Sequence, residues 1–492
     1  MTTRPMTPQD AAWYHMDGPA NLAQVTGILF TREPLDFDRV KAVYARRLAD
    51  FPRFRQRVVE NRLGITTPQW EDVPHFEIDL HVHHVALPAP RDRATLITLI
   101  SDLASTPLDR EQPLWQVHVV DDVDGGSALV MRFHHCIGDG TAMMALSQKL
   151  FDSDPNAPLG EEPADAPAED RPLIDRLLAP AFDTIEWSTR TVLSAVEATL
   201  EAVANPQQAI DKAKVILAGA GMLVGELLKT DDPQSPLKGE FGLKKRVAWS
   251  EPVSVDDVKF IGKRYGAKVN DVLVAAMTGA LRTYLAGRGA DLDRSTVRAM
   301  VPVDLRPPER ALELGNDFGL VVLDLPIRGR GPIERLRATR ENMDALKRSP
   351  EAVAVKTLFT IFGRSPKIVE DLAVDLFGSK ASVVMTNVAG PRQPLYLAGT
   401  PIDRIMFWVP HPGKQLGMGI SILSYNGAAT LDVIADGHLV PDPETITAQF
   451  SREFGRMMTA AKRPRAGDGA ASSARRPRVP RKRSPRTTTK GS

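Results

Sequence analysis

Two adjacent histidines, His134 and His135, are separated by three residues from Asp139 in the run MRFHHCIGDGTAMMAL (131–146), and Gly138 and Gly140 bracket that aspartate. An imidazole titrates near neutral pH, so it can take a proton, give one or bind a metal. Reading SALVMRFHH (127–135) as a strand, with side chains alternating between faces, puts Leu129, Met131, Phe133 and His135 on one face. Val130, Arg132 and His134 take the other. Neighbouring histidines that point apart are a poor metal pair, because zinc motifs use spacings that bring both rings to one side. His134 therefore reads as a satisfied buried histidine with a supporting role. His135 closes an apolar face just before a glycine turn, and reads as a general base.

The turn itself carries expectations. Gly138 and Gly140 supply backbone freedom that other residues lack. GTAMMALSQKLF then reads as a helix with Thr141 near its N-cap. Asp139 is placed to hold the loop through a salt bridge or hydrogen bonds. Cys136 is the sole cysteine, so no internal disulfide can form, which fits a reducing compartment. Strand alternation turns its thiol away from His135, against a thiol shuttle. No G-x-S-x-G, Walker loop or paired C-x-x-C occurs, and GAGMLVG (219–225) follows a helical pattern where a dinucleotide fingerprint follows a strand.

Several elements must position this motif. QVTGILF (24–30), FEIDLHVHHVAL (76–87), LWQVHVVDD (114–122) and SALVMRFHH read as strands. Helical patterns at FDRVKAVYARRLADF (37–51) and ATLITLISDLAST (94–106) lie between them, giving α/β character. An acidic, Pro- and Ala-rich stretch (152–172) and long helical patterns (173–230) follow before the alternation resumes. A chain of 492 residues exceeds what one core usually supports, so two halves are expected. The boundaries predicted are 1–151 for the N-terminal half with the motif, 152–232 for the linker and helical connection, 233–461 for the C-terminal half and 462–492 for a tail.

HHCIGDG resembles the HHxxxDG motif of the acyl-CoA-dependent acyltransferase superfamily, which includes chloramphenicol acetyltransferase and peptide-synthetase condensation domains. PLW (113–115), VNDVLVAAMTGALRTYL (269–285), VPVDLRP (301–307), GNDFG (315–319) and TNVAGP (386–391) follow the pattern of the bacterial wax ester synthase/diacylglycerol acyltransferase family, over roughly residues 5–460. The resemblance implies an α/β fold of two chloramphenicol-acetyltransferase-like halves with a tunnel at their interface. It implies long-chain acyl transfer from acyl-CoA, a co-substrate with no further cofactor, to diacylglycerol or a long-chain alcohol. His135 would be the base, and Asp139 would pair with Arg306 of VPVDLRP. Gly138, Gly140, Asn270, Asp271 and Asn387 are the candidate substrate contacts. Helix capping explains Asn270 and Asp271 about as well, and Asn387 could equally hold a turn before Pro391. A related enzyme acting on a carrier-bound or polyketide alcohol, and a non-catalytic lipid-droplet-surface protein, are the alternatives. The lack of a neighbouring carrier domain speaks against the first, and intact His135 and Asp139 against the second.

The net charge of +1 conceals an asymmetry: from Lys462 to Ser492 eleven Lys/Arg face one acid, so the tail carries +10 and the remainder −9. With almost no large apolar residue, that tail is expected to be disordered. Its charge suits either solubility or anionic lipid headgroups. No aromatic or fold feature points to specific nucleic-acid binding. The longest apolar run, VILAGAGMLVG (215–225), is too short to span a bilayer. The expectation is a cytoplasmic protein peripheral to the inner membrane or to lipid inclusions.

Overall fold

The computed structural model describes residues 3–48, 51–60, 67–158, 232, 235–306, 314–346, 378–411 and 416–463. The helical patterns of 173–230, most of the acidic stretch before them and the tail beyond Arg463 lie outside the described residues.

The strands are β1 (Thr3–Pro5), β2 (Gln24–Thr31), β3 (Gln56–Val59), β4 (Gln69–Asp72), β5 (Val82–Ala86), β6 (Trp115–Val123), β7 (Gly126–His134) and β8 (Lys245–Trp249). They continue as β9 (Val253–Ser254), β10 (Val297–Asp304), β11 (Phe318–Leu325), β12 (Val383–Ala389), β13 (Tyr396–Leu397), β14 (Thr400–Trp408), β15 (Met418–Tyr425) and β16 (Ala428–Asp436). The helices used below are α1 (Pro8–Met16), α2 (Phe37–Val43), α3 (Arg93–Ser105), α4 (Gly140–Leu150), α5 (Val255–Tyr265), α6 (Val269–Gly287), α7 (Pro332–Leu346) and α8 (Pro443–Lys462).

Two large sheets organise the chain, in the α/β class expected. The first runs β13-β14-β2-β7-β6-β5, and the second β11-β10-β12-β15-β16-β8 with β9 alongside β16. β2 lies at the middle of the first, and all eight of its residues are buried. That explains its near-continuous apolar sequence, since a strand covered on both faces loses the alternation of a half-exposed one. β6 and β7 form a hairpin whose turn, Asp124-Gly125, takes φ of 51° and 84°. Left-handed angles at both turn positions match the twist of the strands, and Asp-Gly is suited to them.

The sheets do not follow the sequence halves. β14, from the C-terminal part of the chain, pairs antiparallel with β2 of the N-terminal part, Trp408 opposite Thr26 and Met406 opposite Ile28. α3 bridges in the other direction. Its Ser101 and Ser105 hydroxyls accept the Val247 and Lys245 amides of β8 at 3.2 and 2.8 Å. A mixed cluster of Ile28, Phe30, Ile100, Val130, Trp249, Trp408 and Ile434 fills the seam. The other face of the second sheet packs on α6 and α8, where the buried Val272, Ala276 and Leu281 meet Phe450 and Met457. Burying this seam fixes the two halves against each other, so side chains from both can be held to a common geometry.

Candidate active site

β7 ends at His134, one residue earlier than alternation predicts. His134 caps a short 3-10 turn, His135–Ile137, with its Nδ1 accepting the Cys136 amide at 3.1 Å. His135 therefore leaves the strand, and the end of the strand, more than alternation, sets its direction. Its amide still reaches back to the Ala23 carbonyl at 2.8 Å. His134 is buried, and its pKa drops to about 4 through desolvation, against the upward pull of Asp17. Leu114 of the PLW run accepts the His134 amide at 2.9 Å, so that run works as packing support. Cys136 is buried in the same turn; desolvation pushes its thiol well above the ordinary range, so it stays protonated. The expected remoteness of its thiol thus has a different cause, burial in a turn.

Two further expectations change. The N-cap of α4 is Asp139, not Thr141: the Asp139 carboxylate accepts the Ala142 amide at 2.9 Å. Thr141 instead donates from Oγ1 to Asp304 at 3.0 Å. Nor do Gly138 and Gly140 use left-handed backbone. Gly138 is extended, with φ of 176°, and Gly140 begins the helix. Gly138 sits in close quarters: a Cβ there would lie 3.0 Å from Ala142 Cβ and 2.9 Å from Met143 Cε, the movable end of that side chain. Gly140 is exposed, and a Cβ there would meet nothing within 4 Å.

Asp139 and Arg306 meet as a two-pronged pair. Arg306 Nη2 donates to Asp139 Oδ2 at 2.8 Å and Nη1 to Oδ1 at 3.2 Å. Both side chains are buried, and Arg306 also donates to the Gly315 carbonyl at 2.8 Å. Asp139 Oδ2 further accepts the Asp317 amide at 3.0 Å. A planar guanidinium fits a carboxylate in this way and stays charged. One carboxylate thus caps α4 and ties the HHxxxDG turn to Arg306, just beyond β10, and to the 315–317 loop.

His135 is held on several sides. The Trp13 ring of α1 stacks on it at 3.8 Å between centroids, nearly parallel at 15°. Phe318, at the start of β11, tilts against it at 6.1 Å. Its Nδ1 lies 3.0 Å from Asn316 Oδ1. The Asn316 amide orientation is fixed by its other end, where Nδ2 donates to Asp10 Oδ1 at 2.9 Å and to the His135 carbonyl at 2.8 Å. Two acceptors require the NH2 there, so Oδ1 faces the imidazole and Nδ1 must be the protonated nitrogen. Nε2 is left with its lone pair, and no partner for it occurs among the described residues. Desolvation lowers the His135 pKa to about 4, against the charge of Asp139 and the Asn316 hydrogen bond, so the ring is neutral at pH 7.

Asp10, Trp13 and Asn316 were not singled out from sequence. Asn316 sat inside GNDFG with no role attached. Asp10 and Trp13 lie in a stretch whose Thr7-Pro8-x-Asp10 pattern is a helix start: Thr7 Oγ1 accepts the Asp10 amide at 3.2 Å. Reading that cap would have placed both residues on one helix, though not beside His135.

The other candidate contacts form a separate group. Asn387, on β12 and not in a turn, donates from Nδ2 to Asn270 Oδ1 at 3.0 Å. Asp271 Oδ2 accepts the Lys268 amide at 2.7 Å, which makes it the capping residue of α6. No hydrogen bond or ring contact among the described residues joins this group to His135. No three His, Cys, Asp or Glu side chains converge as a metal site among the described residues.

Known structures share this arrangement of sheets. A wax ester synthase/diacylglycerol acyltransferase from Marinobacter aquaeolei superposes with a TM-score of 0.67 at 22% identity, covering 94% of this chain and 100% of that one. The first condensation domain of a calcium-dependent antibiotic synthetase gives 0.57 at 17% identity, covering 94% and 97%. They define the class: the two-sheet fold of chloramphenicol-acetyltransferase and condensation-domain type. The wax ester synthase/diacylglycerol acyltransferase catalytic-domain model matches residues 6–273, and the C-terminal-domain model matches 314–458. A Mycobacterium tuberculosis protein named "Probable diacylglycerol O-acyltransferase tgs1" is 26% identical over 439 residues, 85% of this chain and 87% of its own. A Mycobacterium bovis relative bearing the same enzyme name is 30% identical over 387 residues, 77% of this chain and 81% of its own. The chain belongs to the wax ester synthase/diacylglycerol acyltransferase family, and it is an acyltransferase.

Proposed function

We propose that the chain moves a long-chain acyl group from acyl-CoA to the hydroxyl of diacylglycerol or a long-chain alcohol, with His135 as the general base and no cofactor beyond the CoA thioester. One observation carries this reading: the amide clamp holds Nδ1 of a neutral, half-buried imidazole, and Nε2 has no partner among the described residues. His135 Nε2 takes the hydroxyl proton as the alcohol oxygen attacks the thioester carbonyl carbon. The tetrahedral adduct collapses by breaking the C–S bond, and the imidazolium returns the proton to the sulfur, releasing CoA-SH. The thiol ionises near pKa 8.5, which makes the thiolate a fair leaving group. No covalent enzyme intermediate is needed, in keeping with a protonated, buried Cys136.

Asp139 and Arg306 hold the turn in this reading. Asn270 and Asn387 are proposed as acceptor or acyl contacts of the second half. Among the described residues no helix is long and apolar enough to cross a membrane. The greasy substrates and the basic tail support attachment to the inner-membrane surface or to lipid inclusions. The test supplies palmitoyl-CoA with either diacylglycerol or hexadecanol and identifies the neutral lipid formed. Triacylglycerol, wax ester or both is the expected product, and free palmitate alone would contradict acyl transfer to an alcohol.

A further inference from the structure

Asp10 is fully buried on α1, and among the described residues no hydrogen bond joins it directly to a HHxxxDG side chain. Its Oδ1 accepts both the Asn316 backbone amide at 3.0 Å and the Asn316 side-chain NH2 at 2.9 Å. Its Oδ2 lies 2.9 Å from Arg53 Nη1, whose guanidinium also donates to the Cys136 and Ile137 carbonyls at 3.3 and 3.2 Å. Arg53 supplies the counter-charge that a buried carboxylate needs, and the Asn316 amide stands directly between this carboxylate and His135 Nδ1. An amide in that position cannot exchange a proton with the ring at neutral pH. It can pass polarisation: a negative charge behind its NH2 end makes its carbonyl oxygen a stronger acceptor.

We infer that Asp10, acting through the Asn316 side chain, is a positioning pair that fixes the His135 tautomer and stabilises the imidazolium formed when Nε2 takes the alcohol proton. The Nδ1 proton stays on the ring throughout, and the charge that develops is met by the polarised amide on one edge. The Trp13 ring, 3.8 Å from the imidazole centroid, meets it on the face, where a cation over an indole is favourable. The arrangement performs the task that a carboxylate performs directly in a Ser-His-Asp triad, with an amide interposed. Neither Asp10 nor Asn316 reaches the reacting atoms.

This inference rests on His135 being the base, and the experiment separates the two. In holoenzyme assays with palmitoyl-CoA and hexadecanol, His135→Ala reports on the base alone. Asn316→Ala should lower kcat by about 10²-fold, and Asp10→Asn by about tenfold, each with KM within about threefold of the parent. The paired variant Asp10→Asn/Asn316→Asp exchanges amide and carboxylate, putting the charge directly on Nδ1. It should recover activity above Asn316→Asp alone and move the acid limb of kcat/KM to higher pH, because a carboxylate on Nδ1 favours the protonated ring. A merely structural pair would recover thermal stability in the exchange but leave kcat per folded enzyme unchanged in Asn316→Ala and Asp10→Asn. Should Asp10→Asn fail to fold, the exchange variant and Asn316→Ala decide. An inactive His135→Ala together with an unmoved acid limb and unchanged kcat in the folded variants would overturn the pair while leaving the base in place. A fully active His135→Ala would overturn the base itself.

Discussion

The HHxxxDG turn and the start of α6 are both places where a loop enters a helix, and they are built differently. At α6 the capping is local: Asp271 binds the amide of Lys268, three residues away, and Asn270 makes a neutral amide contact with Asn387. At the turn, Asp139 also caps its own helix, but Arg306 and the Asp317 amide reach it from the other half, and Asn316 reaches His135. A helix start needs only its first amides satisfied. The imidazole of His135 instead has its tautomer fixed by Asn316, 181 positions away, and its pKa lowered by burial. The difference predicts that breaking the Asp139–Arg306 pair lowers both stability and rate, while damage at α6 stays local.

The largest effect belongs to His135→Ala, expected to cost roughly 10²–10⁴ in turnover with little change in melting temperature, since general-base loss is of that size. A thermal melt alongside the assay separates the two losses. Next comes the buried ion pair. Breaking one side of such a pair costs on the order of 3–5 kcal/mol, so Asp139→Asn and Arg306→Ala should each lower melting temperature and activity together. In a denaturation cycle the double variant should lose much less than the sum, and additive losses would mean that the halves are not joined here. Smaller still, Asn387→Ala and Asn270→Ala should leave stability within about 1 kcal/mol, the size of one hydrogen bond, and any effect on rate should appear chiefly in KM. Cys136→Ala should keep most of its activity; an inactive, folded variant would return the thiol to the mechanism.

Much of this was legible in the sequence, and the exceptions have physical causes. The strands at QVTGILF and SALVMRFHH and the long helix after Val269 follow from periodicity, which local sequence carries. His135 and Asp139 could be picked out from their types and spacing, Arg306 only through the family resemblance, and the structure brings Arg306 to the turn that holds the other two. What escaped was what the chain's return path decides. That β14 joins β2 across more than 370 residues has no local signature. Asp10, Trp13 and Asn316 look like ordinary residues of a helix and a loop until the seam between the halves brings them together. The assignment of Thr141 as the cap failed for a different reason, since aspartate and threonine both cap well and only geometry chooses.

Acid stability follows from the same burial. His134, His135, His118 and His411 all have folded pKa values lowered by desolvation, the first two to about 4 and the others to about 3. Because the unfolded chain binds protons near pH 6.5, stability is complete above that value and falls as the pH drops toward 4. Urea unfolding between pH 7 and 5 should show midpoints that decline with pH, and His134→Gln should flatten part of the slope.

The most direct test of the central claim, that both halves together hold His135 neutral and ready, is the pH dependence of kcat/KM for the intact enzyme, with brief acid exposures checked by return to pH 7. A lowered pKa places the free-enzyme acid limb well below 6.5, near the about 4 that burial imposes, with a plateau through neutral pH. An acid limb at 6.5 or above would show a base exposed to solvent, and would contradict the account.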